Sequence, residues 1–160
     1  MIFVTIGSMF PFDRLVRLMD GWSADHPGHD VFSQIGNGSY IPRHSRWVRI
    51  LRPAEFIENV RTATLTIAHA GMGSIITAME TGRPIVILPR RCDQGEHTTD
   101  HQLHTAAWLT GKQGIYVAMS DEDLAPTIEA ALKETGTPLG RLDSSAPQEF
   151  LDRIRELVAS

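Results

Sequence analysis

The stretch "IAHAGMGSI", residues 67–75, decides the reading of this chain. An apolar run ends in His69, Gly71 and Gly73 flank Met72, and Ser74 opens a second apolar run. A buried strand that meets glycines and passes straight into a helix brings bare backbone against whatever lies beyond the strand, with the first helical N–H groups facing it. Gly71, Gly73 and Ser74 therefore read either as an anion cradle, with phosphate the natural occupant, or as a tight strand-to-helix turn with no ligand. The common phosphate fingerprints are absent. No lysine follows the glycines, and Ile76 stands where a dinucleotide fold places its third glycine. His69 reads as a histidine bonded to neighbouring backbone. Ser74 lacks the Gly-x-Ser-x-Gly elbow of a nucleophile and reads as a helix N-cap.

Working outward, the same alternation recurs. "MIFVTI", "DVFSQIG", "RWVRIL", "LTIAHAG", "PIVILP" and "GIYVA" read as six strands. Between them, "FDRLVRLMDGW" places Leu15, Leu18, Met19 and Trp22 on one helical face, with Asp13 set to cap it. Pro53 suits the first turn of a helix through "AEFIENVRTA". Gly82 stops the helix that Ser74 opens. "DHQLHTAAWL" and "SDEDLAPTIEAAL" are two further helices, the latter opened by Ser120 and Asp123 in a capping-box pattern. Residues 138–160 read as a turn-rich tail and a closing amphipathic helix. The chain is expected to be a single α/β domain over residues 1–160, a mostly parallel sheet with helices on both faces. Ligands bind such sheets beyond the carboxyl ends of the strands.

Composition sets the outer limits. The 160 residues suffice for one real core. A net charge of -4 argues against nucleic acid as the main partner. The single cysteine, Cys92, rules out an internal disulfide framework. The opening residues lack the basic stretch of a secretory signal, and no run approaches the roughly 20 apolar residues of a membrane span. The expectation is a soluble, cytoplasmic protein.

A second polar concentration, "GEHTTDHQLH", begins inside "RRCDQGEHT", a loop of about nine residues and longer than most connections. His97, His101 and His104 are spaced i, i+4, i+7, so a helix would put them on one face that could take zinc. Thr98 stands where the zinc-protease motif needs glutamate. Asp100 and Gln102 instead offer acceptors and donors suited to sugar hydroxyls, and Glu96 either takes part or caps the helix. Arg90 and Arg91 could balance a diphosphate or be solvated strand-end arginines. Arg14, Arg17 and Arg52 leave the same choice.

Taken together, "IFVTIGSMFPFDRLV", "ILRPAEFIENVRTATLTIAHAGMGSIITAMETGRPIVILPRR" and "GEHTTDHQLHTA" resemble the C-terminal, donor-binding half of family 28 glycosyltransferases. The likeness is greatest to small subunits of two-part enzymes, the soluble subunit of the dolichol-linked GlcNAc transferase and bacterial exopolysaccharide glucuronosyltransferase subunits. The resemblance implies a Rossmann-like half of a GT-B fold that binds a UDP-sugar. A membrane-anchored partner subunit would bind the lipid-linked saccharide acceptor and recruit this chain to the cytoplasmic face.

Carried over by position, Leu51, Arg52 and Pro53 would read uracil, and His69 and Gly71 to Ser74, with Met72 between, would meet the diphosphate. Asp100 and Gln102 would contact sugar or ribose, Gly7 and Ser8 would face the cleft, and Arg90 would sit near the diphosphate. Thr77 replaces an acidic ribose-binding residue of the peptidoglycan branch, with Glu80 one turn on as a substitute. Glu96 and His97 are the candidates in this chain for a catalytic base. No essential metal or other cofactor is expected. The competing reading is a non-catalytic nucleotide-sugar scaffold or sensor of the same fold. Without its partner the cleft surface is expected to favour homo-oligomers through Phe10, Phe12 and Trp47.

Overall fold

The computed structural model describes residues 1–134. The tail and closing helix expected over 138–160 lie outside the described residues. Six strands form one parallel sheet: β1 (Ile2–Thr5), β2 (Val31–Gln34), β3 (Arg46–Val48), β4 (Leu65–His69), β5 (Ile85–Leu88) and β6 (Ile115–Val117). Their order is β3-β2-β1-β4-β5-β6, every pair parallel. The connecting helices are α1 (Asp13–Asp25), α2 (Pro53–Thr62), α3 (Met72–Glu80), α4 (His101–Leu109) and α5 (Asp121–Glu134).

The layers follow from side-chain alternation. Ile2 and Val4 of β1, Ile67 of β4, and Val86 and Leu88 of β5 join the core that holds Leu15 and Met19 of α1 and Ile128 of α5. Their neighbours Phe3, Ala68, Ile85 and Ile87 join a second core with Val60 of α2, Ile75 of α3 and Ala106 of α4. Both faces are covered, so the central strands are apolar at nearly every position. Strand order reverses between β1 and β4, and the crevice beyond their carboxyl ends is where such folds bind ligands.

Three local expectations are met in detail. Pro53 opens α2, Gly82 ends α3 with φ +64, and Ser120 and Asp123 exchange hydrogen bonds, Asp123 N–H to Ser120 Oγ at 3.3 Å and Ser120 N–H to Asp123 Oδ2 at 3.1 Å. Asp13 does not cap α1. Phe12 is the N-cap and Asp13 the first helical residue, because its carboxylate is drawn across to the Ser39 backbone N–H at 3.0 Å. Phe12 is no surface residue either. Its ring is fully buried, with the guanidinium of Arg14 at 5.1 Å from its centroid and that of Arg90 at 5.2 Å.

Asp20 ties the long β2–β3 connection to α1. It is 2% exposed and accepts hydrogen bonds from Tyr40 Oη at 2.7 Å, Arg43 N–H at 3.0 Å and His44 N–H at 2.7 Å. Burial acts to raise its pKa, but the donors from Arg43, Tyr40 and His44 outweigh it and hold the carboxyl below its ordinary value. With the folded pKa depressed, the stabilisation is complete above the unfolded pKa of about 4 and is lost as pH falls through the folded value. Asp20→Asn should cost about 1.5–3 kcal/mol in urea unfolding at neutral pH, since charged hydrogen bonds are lost. The gap to wild type should narrow as pH falls from about 4 towards and through the folded value. A gap constant across that range would show that the charge of Asp20 is not what anchors the loop.

Candidate active site

The strand ends are joined by buried polar residues. Thr5 Oγ1 donates to Gln34 Oε1 at 2.7 Å and accepts from Gly7 N–H at 3.2 Å. Gln34 Nε2 donates to the carbonyls of Gly7 at 3.0 Å and Arg49 at 3.1 Å. The turns after β1, β2 and β3 are thereby held in register with one another. Gly7 has φ +74, a left-handed conformation that disfavours other residues.

The β4–α3 turn places His69 between two glycines. A Cβ on Gly7 would fall 2.7 Å from His69 Cε1, and one on Gly71 would fall 2.7 Å from Cδ2 and closer still to Nε2. The ring fits only because both neighbours lack side chains. Burial, with the nearby Arg90 charge second, lowers its pKa to about 3, while the Thr5 backbone acts weakly the other way. His69 is therefore neutral at physiological pH, and its buried Nδ1 has no hydrogen bond of ordinary geometry.

Gly71 is the N-cap of α3, and no side chain caps the helix. Ser74 is not the cap. It is the third helical residue and 5% exposed, because the chain has already turned at Gly71. The amides of Met72, Gly73 and Ser74 are the orphan donors of a helix start, aligned with the positive end of its dipole. A Cβ on Gly73 would meet nothing within 4 Å.

The β5–α4 loop supplies the cation. Arg90 is 3% exposed, with Nη2 donating to the carbonyls of Ile6 at 2.7 Å and Phe10 at 2.5 Å. Its backbone N–H donates to Gln102 Oε1 at 3.1 Å, which fixes the side chain of Gln102, itself 3% exposed. Among the described residues no carboxylate forms an ion pair with Arg90, and its Nε is buried without a partner. Burial lowers its pKa to about 10, so it remains charged at neutral pH.

Glu96 is engaged elsewhere. Arg14 grips it at both oxygens, Nε to Oε1 at 2.7 Å and Nη2 to Oε2 at 2.8 Å, and the Arg91 N–H adds a bond at 2.9 Å. Arg14 also donates to the Pro89 carbonyl at 2.9 Å and pairs with Asp121. Burial acts to lower the pKa of Arg14, but hydrogen bonds to Glu96 and Asp121 outweigh it and raise the value. Glu96 thus braces the loop instead of entering the cleft.

These elements enclose a cleft of about 800 Å³ at the β1/β4 reversal. Of the residues singled out from sequence, Gly7, Ser8, Pro53 and His69 line it, as do Gly71 to Ser74. Arg90, His97 and Gln102 complete the far wall. Arg52, Glu80, Glu96 and Asp100 are not on the lining. Arg52 is held by Glu55 at 2.6 Å, Glu80 is exposed at the end of α3, and Asp100 accepts from Cys92 N–H at 3.0 Å. Thr77 lines the cleft where Glu80 does not, its hydroxyl bonded to the Gly73 carbonyl at 2.8 Å.

Arg17 lies over the Tyr40 ring at 4.3 Å, and Arg91 pairs with Asp93 at 3.1 Å. Sequence reading missed Thr5 and Gln34, whose signal was a polar residue at the carboxyl end of a buried strand. It also missed an apolar rim of Met9, Ile50 and Ile57, which are 78%, 67% and 48% exposed. Among the described residues no three His, Cys, Asp or Glu side chains gather as a metal would require. His97 precedes α4, so the three histidines do not share its face. Among the same residues no helix is long and apolar enough to cross a membrane.

A comparison with protein families matches the Glycosyltransferase family 28 C-terminal domain over residues 1–157. The UDP-N-acetylglucosamine transferase subunit ALG13 of Homo sapiens is 28% identical over 118 residues, 68% of this chain and 10% of that protein. Its Mus musculus counterpart is 27% identical over 123 residues, 67% of this chain and again 10% of that protein. The chain thus spans about a tenth of the length of these curated relatives. Among solved structures, the spinosyn forosaminyltransferase SpnP superposes with a TM-score of 0.58 at 18% identity, covering 99% of this chain and 44% of that one. The calicheamicin glycosyltransferase CalG4 superposes with a TM-score of 0.60 at 17% identity, covering 99% and 43%. These structural likenesses establish the fold, a Rossmann-like α/β half of the kind found in GT-B glycosyltransferases.

Proposed function

This chain belongs to glycosyltransferase family 28 as a C-terminal domain, and on that footing we propose that it is the donor half of an inverting UDP-sugar transferase. The observation that carries the reading is electrostatic. An uncapped helix N-terminus and a buried guanidinium without a carboxylate partner meet on one cleft. Burying a guanidinium whose favourable neighbour, Glu96, is already gripped by Arg14 is costly, and a diphosphate would compensate it from both sides. Thr77 and Gln102 line the same cleft for ribose and sugar hydroxyls, and the Ile50–Leu51–Pro53 edge offers an apolar surface for uracil.

In this reading the acceptor hydroxyl attacks the anomeric carbon from the face opposite UDP. The new C–O bond forms as the bond to the diphosphate breaks, and UDP leaves with the electron pair. Backbone donors of α3 and the charge of Arg90 stabilise the oxygen that gains negative charge, an arrangement that calls for no essential metal ion. The proton of the acceptor passes to a base on a second, membrane-anchored subunit that also holds the lipid-linked saccharide. The similarity to a protein named as a transferase subunit supports the two-part arrangement, as does the exposed apolar rim of Met9, Ile50 and Ile57. We assign the transferred unit as a hexose, glucuronic acid foremost, in bacterial exopolysaccharide synthesis, as the resemblance of the chain's motifs to exopolysaccharide glucuronosyltransferase subunits implies.

Calorimetry with UDP should show weak binding to this chain alone, strengthened by the partner, and a donor screen of the reconstituted pair should show transfer from UDP-glucuronic acid. Transfer from another UDP-sugar would replace only the sugar assignment. Donor binding without transfer by the pair would favour a sensor or scaffold. No binding of any uridine nucleotide, with or without partner, would end the proposal.

A further inference from the structure

We infer that His97 meets the bound donor as a neutral imidazole giving a hydrogen bond from Nε2, and that it is not the catalytic base. The inference rests on the UDP-sugar reading above and refines it. His97 is half-buried on the cleft wall. Its Nδ1 receives the backbone N–H of Thr99 at 3.3 Å, with the Thr98 hydroxyl at 3.5 Å. A backbone N–H can only donate, so Nδ1 must present its lone pair, and in the neutral ring the proton sits on Nε2.

The ring is held in that orientation from two sides. Phe10 packs edge-on with centroids 5.2 Å apart and His101 with centroids 4.4 Å apart. Among the described residues nothing accepts from Nε2. Burial, followed by the nearby His101 and Arg90, lowers the pKa of His97, which keeps the ring uncharged near neutrality. An imidazole in this state offers the cleft a donor and no lone pair. It can bond an oxygen of the diphosphate or of the sugar, and it cannot accept the proton of an attacking hydroxyl. With Glu96 closed off by Arg14, neither candidate base in this chain is free to act, so the base belongs to the partner subunit.

Two measurements test this. Long-range proton–nitrogen correlation spectra of the 15N-labelled chain, with His97→Gln identifying the signal, should show the proton on Nε2 at neutral pH. A proton on Nδ1 would overturn the inference. Calorimetry with UDP and UDP-glucuronic acid, partner present, should show about a tenfold loss of affinity for His97→Ala. His97→Gln should recover most of it, because its amide nitrogen reaches the position of Nε2. Loss for both ligands places the bond on the diphosphate, and loss for UDP-glucuronic acid alone places it on the sugar; either supports the donor role. If His97→Ala binds donor like wild type, or His97→Gln is as weak as His97→Ala, the donor role is wrong. If wild type binds neither ligand, the UDP-sugar proposal falls and takes this role with it, whatever the tautomer.

Discussion

Gly71→Ala should destabilise the fold by about 1–3 kcal/mol, the range for overpacking a tight interior, and should weaken UDP binding at least about tenfold, which is 1.4 kcal/mol. The cause is not backbone strain, since Gly71 has φ -92, which any residue can adopt. It is the imidazole of His69. The new methyl would fall 2.7 Å from Cδ2, and the ring cannot retreat because Gly7 backs its other side. The relief available is to displace the first turn of α3, whose free amides form the anion cradle. Urea unfolding and calorimetry measure the two effects separately. A His69→Ala background should remove most of the stability penalty of Gly71→Ala, because the obstacle is gone and the two sites are coupled by contact. Equal penalties in both backgrounds would refute the steric account.

Arg90→Met should lower UDP affinity about 10- to 100-fold, the value of roughly 1.5–3 kcal/mol for charge-assisted hydrogen bonds. Methionine keeps much of the buried stem, so packing against Phe12 persists while the charge is lost. Arg90→Lys should fall between, since it keeps a charge but not the planar guanidinium whose Nη2 reaches both the Ile6 and Phe10 carbonyls. Calorimetry on the three proteins decides the matter. An unchanged affinity in Arg90→Met would mean that the buried cation serves only to tie down those two carbonyls.

The fold was open to reading because its signals are local. Six strand-like runs, most of them bounded by glycine or proline, and helices with recognisable starts such as Pro53 and Ser120, specify an α/β alternation without knowledge of any distant contact. Much of the cleft was legible for the same reason, as strand ends in a parallel sheet point one way. The failures share a different cause. Asp13 looked like a cap because Ser39, 26 residues on, is invisible to local pattern. Glu96 stood as a candidate base or a helix cap because its partner, Arg14, lies 82 residues earlier. Ser74 carries the right chemistry for a cap, but the helix begins at Gly71, where a side chain would strike His69. Periodicity cannot report that kind of contact.

The grip of Arg14 also bears on the order in which the molecule assembles. Its partners lie 82 and 107 residues away, after β5 and at the start of α5. Contacts so distant in sequence close late, since the intervening chain must be ordered first. The sheet, whose strand pairings are all closer in sequence than this clasp, can form while the clasp is still open and the loop carrying Arg90 and His97 is unset. Ligand binding during refolding should therefore lag behind the recovery of helix and strand signals, making the cleft the last part of the protein to mature.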